Sequence, residues 1–234
     1  MRLFYDLYNR FYPYAEFHRG EPWWNRRWEK MDKRVYLTFD DGPIPEVTPK
    51  VLDILVRYDA KATFFMVGEN IDKHPEVFDL VTAAGHSIGN HTYNHLKGWR
   101  VSTETYMQNI EHCQDVIERN LPKSYYYHSG VGRTLDPNWA PPVRLFRPPY
   151  GKATYAQRKL LDRCDFRIIY WDILTRDYDA RRTPEQMLKQ IKNNARPGSI
   201  INFHDSLKSN ERMLEVLPKA IEWLQSKGYE LEGL

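Results

Sequence analysis

Residues 37–43 read LTFDDGP: an apolar run that ends in two adjacent carboxylates, Asp40 and Asp41, and turns at once on Gly42-Pro43. Two like charges side by side resist ionising together. A metal ion, a nearby arginine or open water can offset that repulsion. Asp and Gly are also ordinary turn residues, so these seven residues equally fit a solvated turn. The rest of the chain has to decide.

The same sequence of a short apolar run, a polar loop and a helix recurs along the chain. Strand-like runs stand at 34–39, 62–67, 86–90, 144–147, 166–173, 199–203 and 228–232. They are rich in Ile, Val, Phe and Tyr and mostly do not alternate with polar residues, as suits strands buried on both faces. Helix signals lie between them. Thr48-Pro49 reads as an N-cap and first turn, and Thr183 to Gln186 has capping-box spacing. A helix starting at Asn210 places Met213, Leu214, Leu217, Ile221 and Leu224 on one face, contains Pro218 and is followed by Gly228. This alternation predicts an α/β protein with a parallel sheet, barrel-like or open.

At 234 residues the chain suits one domain with a full core. The net charge of +3 is spread along the sequence with no polybasic block, so nucleic acid is not an expected partner. No apolar run approaches the roughly 20 residues that span a bilayer. Cys113 and Cys164 form neither a metal spacing nor a disulfide framework and read as core thiols. Residues 1–32 are crowded with aromatic rings and interrupted by charges, with no continuous apolar segment of the kind a signal peptide needs. They read as an arm packed on the domain in preference to an interfacial membrane or partner contact. The compartment stays open.

The polar residues collect after the strand-like runs. Asp40 and Asp41 follow the first, His91 and His95 the third, Arg147 the fourth, Asp177 the fifth, and His204 the sixth. In parallel barrels the carboxyl ends of the strands build the active site, so these distant residues are expected at one mouth. His91 and His95, at i and i+4, would share a face on a helical turn and could reach one cation. With one aspartate they make a two-histidine, one-carboxylate set, while the other aspartate stays free as a base. Taken singly, the histidines also fit surface or core positions.

LTFDDGP, GHSIGNHTYNH, FRPPYG, the TRDY segment and IINFHDS together resemble, in order, the motifs of the polysaccharide deacetylases, carbohydrate esterase family 4 with its NodB-homology domain. The resemblance covers residues 33–234. It implies a distorted, TIM-like (β/α) barrel of about seven parallel strands and a metal-dependent hydrolase that removes N-acetyl groups from N-acetylglucosamine units. It further implies that Asp41, His91 and His95 hold a divalent metal, with zinc expected and cobalt or nickel compatible. Asp40 would be the general base, paired with Arg147. His204 would be the general acid, oriented by Asp177, and the Tyr150 backbone N–H would face the oxyanion. Substrate contacts are implied at Pro149, Trp171, Tyr178 and Asn202. An O-acetyl esterase and a catalytically silent glycan-binding homologue are the alternatives.

The chain departs from the family pattern in three places. Leu174 and Tyr178 stand where Asp and Trp are usual, leaving an aromatic wall with an added hydroxyl. Asn202 replaces an aliphatic residue, which predicts a more polar acyl pocket. The segment 121–143 is long, and its Tyr125, Tyr126, Tyr127, His128 and Trp139 suit either sugar stacking or self-packing.

Overall fold

The computed structural model describes residues 33–122 and 144–234; the expected arm over 1–32 and the aromatic residues of the 121–143 loop lie outside them. The described elements run β1 (Arg34–Asp40), α1 (Thr48–Arg57), β2 (Ala62–Met66), α2 (Gly68–Lys73), α3 (Pro75–Ala83), β3 (Ser87–Asn90), α4 (Thr103–Asn120), β4 (Arg144–Phe146), α5 (Tyr155–Arg163), β5 (Phe166–Ile168), β6 (Ile173–Leu174), α6 (Pro184–Asn194), β7 (Ile200–His204), α7 (Asn210–Ser226) and β8 (Glu230–Leu231). Every described strand pairing is parallel. The sheet order is β5-β4-β3-β2-β1-β7-β6, with β8 added against β1.

The edge strands β5 and β6 are consecutive in the chain, joined only by residues 169–172. A flat sheet of that order would hold its edges about 29 Å apart at about 4.8 Å per strand. The five residue steps from Ile168 to Ile173 span at most about 18 Å. The sheet must therefore curl, and the link closes the gap where no strand pairs. Ile169 N–H bonds the Phe146 carbonyl (2.8 Å), and Asp172 N–H bonds the Ile200 carbonyl (2.9 Å), so the link is tied to both sides of the opening. The result is a curled, incompletely closed (β/α) barrel, as expected. The single strand expected over 166–173 is instead two short ones. Its middle residues must leave one edge to reach the other.

Both sheet faces are covered. Leu37, Phe39, Phe64, Ile201 and Phe203 face outward and pack with Val51 and Leu55 of α1 and Leu217 and Ile221 of α7. Phe39 stacks on both its register partners, Phe64 at 5.0 Å and Phe203 at 5.8 Å. Fully burying each such side chain contributes about 1.5–3 kcal/mol. The inner face holds a smaller cluster of Phe65, Leu145, Ile169 and Ile200 with Trp171 against it. Gly89 is the register partner of Phe65, and a Cβ there would lie 2.4 Å from the Phe65 ring. The glycine makes room for an aromatic ring inside the barrel.

The capping box at Thr183 and Gln186 forms as expected, and a second one joins Thr154 and Gln157 ahead of α5. Helix α7 runs through Pro218 and is followed by Gly228 at φ +75°. Thr48 does not cap α1. It is the first helical residue, and its hydroxyl bonds Asp205 across the barrel mouth. Cys113 is buried and Cys164 half-buried, both as free thiols.

Candidate active site

Register brings the first pair of polar residues together. On β1 and β7, Thr38 stands beside Asn202 and Asp40 beside His204. Alternate residues of a strand share a face, so all four point into the barrel while Leu37, Phe39, Ile201 and Phe203 point out. Arg147, immediately after β4, is fully buried among them. Its Nη1 donates to Asp40 Oδ1 (2.7 Å), Asn202 Oδ1 (2.7 Å) and Thr38 Oγ1 (2.8 Å). Its Nε and Nη2 donate to the carbonyls of Ile169 (3.1 Å) and Tyr170 (3.0 Å) in the link that closes the barrel. The guanidinium lies 4.1 Å from the centre of the Phe65 ring. Burial alone would push the Asp40 carboxyl up. The charge and hydrogen bond of Arg147, with the His204 imidazolium, outweigh it and hold Asp40 below the ordinary carboxylate value.

Asp41 diverges from its neighbour because the backbone turns left-handed there, at φ 87°. Asn70 Nδ2 donates to the Asp41 carbonyl (2.7 Å), and the Gly42 N–H donates to Asp205 Oδ1 (3.0 Å). Thr48 holds the other oxygen of Asp205 at 2.6 Å. A Cβ on Gly42 would lie 2.1 Å from Asp205 Oδ2, so this turn requires glycine. Burial pushes the Asp205 carboxyl up to about 8, against the lowering effect of the Thr48 bond.

His91 and His95 do not share a helical turn. They lie on the loop after β3, where Thr92 (φ 67°) and His95 (φ 55°) are both left-handed. Left-handed backbone is costly for a β-branched residue, and such positions gather at functional sites. Hydrogen bonds secure the loop, among them Thr92 N–H to Asn90 Oδ1 (2.9 Å), Leu96 N–H to Thr92 Oγ1 (3.1 Å), Tyr93 N–H to Asn109 Oδ1 (3.0 Å) and Gly68 N–H to the Thr92 carbonyl (3.1 Å). The result resembles what a helical turn would give. His95 Nε2 stands 3.3 Å and His91 Nε2 3.8 Å from Asp41 Oδ1, and one ligand atom from each of the three residues falls within 4.8 Å of the others.

The donor set fits a divalent cation. His91 Nδ1 lies 2.7 Å from the Arg147 carbonyl and must donate to it, which leaves the Nε2 lone pair facing Asp41 and His95. Burial lowers His91 to about 4 despite the nearby carboxylates, so the ring is neutral, as a metal ligand must be. The cluster opens on a cleft of about 250 Å³ lined by Asp41, Val67, Glu69, Asn70, Asn94 and His95.

His204, at the end of β7, bonds Asp177 twice: its N–H donates to Oδ2 and its Nδ1 pairs with Oδ1, both at 2.8 Å. Burial opposes the imidazolium, but Asp177, with Asp41 and Asp40, raises His204 to about 9. Tyr178 meets the His204 ring edge-on at 5.0 Å. Across the mouth, Tyr150 is left-handed at φ 59°, half-exposed, and edge-on to His95 at 4.7 Å. Pro149, just before it in the chain, is buried. A Cβ on Gly151 would lie 2.6 Å from the Trp171 ring, so Trp171 packs directly under this turn.

Asn202, also expected to meet substrate, lies deeper than Trp171 and Tyr178. It is fully buried, and its amide bonds Asp40, Arg147 and Thr38, so it presents no surface to an acyl group. Sequence reasoning also passed over Thr38, Asn70 and Thr48. The first was detectable, because Thr38 and Asp40 on one strand and Asn202 and His204 on another repeat a two-residue polar period within otherwise apolar runs. Nothing local marks Asn70 or Thr48, whose partners are distant in the chain.

Known proteins resemble this chain in sequence and in fold. A family model described as polysaccharide deacetylase matches residues 28–139. The chain is 33% identical over 195 residues to a peptidoglycan-N-acetylglucosamine deacetylase of Bacillus cereus, covering 83% of this chain and 64% of that protein's length. It is 31% identical over 211 residues to a chitooligosaccharide deacetylase of Azorhizobium caulinodans, covering 86% of this chain and 92% of the other. The crystal structure of a peptidoglycan N-acetylglucosamine deacetylase in complex with 4-naphthalen-1-yl-N-oxidanyl-benzamide matches with a TM-score of 0.75 at 30% identity, covering 87% of this chain and 86% of that one.

Proposed function

The chain belongs to the polysaccharide deacetylase family, and from that membership we propose that it is a metal-dependent hydrolase removing N-acetyl groups from N-acetylglucosamine units of a poly- or oligosaccharide, with residues 33–234 as the catalytic domain. One observation carries the reading. Two acid–base groups, Asp40 gripped by Arg147 and held low and His204 bonded to Asp177 and raised to about 9, stand beside a convergent Asp41, His91 and His95 cluster. Paired groups pushed apart in this way divide into a base and an acid at neutral pH.

Asp41, His91 and His95 would hold the cation, and zinc is the proposed ion, although the same donors suit cobalt and nickel. Such a cation supplies Lewis acidity, which makes a water more acidic and an amide carbonyl more electrophilic. Asp40, kept ionised by Arg147, takes the proton of the attacking water. The Tyr150 N–H donates to the oxygen that gains charge as the carbonyl becomes tetrahedral. His204, protonated and oriented by Asp177, delivers a proton to the departing amine. Pro149, Trp171 and Tyr178 wall the acetyl group and the sugar.

Acetate release separates this reading from its rivals. Activity on N-acetylglucosamine oligomers in preference to O-acetylated xylan is the expected result. Preference for the ester would replace the reading with an O-acetyl esterase, and glycan binding without acetate release would leave a silent homologue.

A further inference from the structure

Asn202 is fully buried, and its surroundings give it a different task from lining the acyl pocket. Its Nδ2 donates to Asp40 Oδ2 at 3.1 Å, and its Oδ1 accepts from Arg147 Nη1 at 2.7 Å and from Thr38 Oγ1 at 3.2 Å. Arginine offers only donors and an ionised carboxylate only acceptors. A primary amide serves both at once, and in only one orientation of its two ends. The remaining Asp40 oxygen, Oδ1, is held by Arg147 Nη1 at 2.7 Å. The carboxylate is thus gripped at both oxygens and cannot rotate without breaking a buried hydrogen bond. The grip is rigid because Asn202 sits mid-sheet, in register with Thr38 on one side and Leu174 on the other. Its carbonyl accepts from the Thr175 N–H (3.2 Å) and hydroxyl (2.8 Å).

We propose that Asn202 is a positioning residue that fixes the Asp40 carboxylate in its working orientation, and that it does not set acyl preference. A leucine at 202 would remove the partner of Asp40 Oδ2 and leave that oxygen buried without it, which is the costly half of a broken hydrogen bond. Orientation of a reacting group is a large share of catalytic rate. The kinetic test rests on the deacetylase reading.

That test is a double-mutant cycle of Asn202→Leu and Asp40→Asn, with N-acetyl and N-propionyl glucosamine oligomers as substrates. Asn202→Leu is expected to lower kcat about tenfold with KM within about twofold, since the lost contact acts in the transition state. Bound metal and the acetyl-to-propionyl ratio stay as in the wild type. On the Asp40→Asn background the same change costs nothing further, because two residues acting as one unit are non-additive. A full additional loss on that background, or a changed acyl ratio with kcat retained, overturns the proposal. Asn202→Ser carries the same cycle if the leucine variant melts early. Should the wild type release no acetate from any N-acetylated glycan, the deacetylase reading falls, and the inference is read from a crystal structure of Asn202→Leu. A turned Asp40 carboxylate supports it, and an unchanged one overturns it.

Discussion

His91 Nδ1 donates to the main-chain carbonyl of Arg147 at 2.7 Å, while the Arg147 side chain grips Asp40 Oδ1 at the same distance. One residue therefore orients His91, a proposed metal ligand, with its backbone and holds Asp40, the proposed base, with its guanidinium. The metal cluster and the acid–base apparatus form a single construction, and disturbing either half has readable consequences.

Alanine at Asp41, His91 or His95 is expected to lower bound metal and acetate release together. The three supply the cluster whose ligand atoms lie within 4.8 Å of each other. Elemental analysis of the purified variants checks this, and full occupancy in all three would remove the assignment.

Asp40 and Asp41 should separate cleanly. Asp40→Asn is expected to retain the metal and lose about 100-fold or more in turnover, the usual contribution of a general base. Asp41→Asn is expected to lose metal. The opposite pattern would exchange the two roles.

The His204–Asp177 pair predicts a pH signature. A general acid must be protonated, and His204 is raised to about 9, so activity falls on the alkaline side as that proton leaves. Asp177→Asn removes the carboxylate that favours the imidazolium, and the alkaline limb moves to lower pH. Stability follows the same sign. A histidine raised on folding adds stability that is full below its unfolded value of about 6.5 and fades as pH climbs through the folded value. His204→Ala should also cost far more on an amide than on an activated aryl acetate, whose leaving group departs without a proton. Equal losses on both, in a variant that melts early, would reduce His204 to a packing residue.

Gly42→Ala should be among the most damaging small substitutions. Its Cβ would meet the buried Asp205 carboxylate, which also holds Thr48. Overpacking of this kind costs about 1–3 kcal/mol. A lowered melting temperature together with weaker metal binding is expected, since the turn aims Asp41. A variant that melts and binds metal like the wild type would show that the turn has slack.

The strand positions, the helix starts at Thr183 and Asn210 and the convergence of Asp40, Asp41, His91, His95, Arg147, Asp177 and His204 were legible in the sequence, because strand ends and motif spacing are local signals. Three things were not. The 166–173 run looks like one strand, and only the need to bridge two sheet edges breaks it. The i, i+4 histidines suggest a helix, whereas the left-handed Thr92 and His95 bring the rings together on a loop. Asn202 reads as a pocket residue because its partners lie far away in the chain: Asp40 reaches it through the pairing of β1 with β7, and Arg147, after β4, only when the barrel curls. The first and third failures concern relationships between distant segments and the second a left-handed loop, none of which local periodicity encodes.

The most direct measurement is acetate release from an N-acetylglucosamine oligomer by the wild-type protein after chelation and after stepwise return of zinc, with bound metal determined in the same samples. The account predicts no release from the stripped protein and recovery in proportion to metal bound, saturating at one ion per chain. Undiminished release from metal-free protein, or none from fully loaded protein, would contradict it.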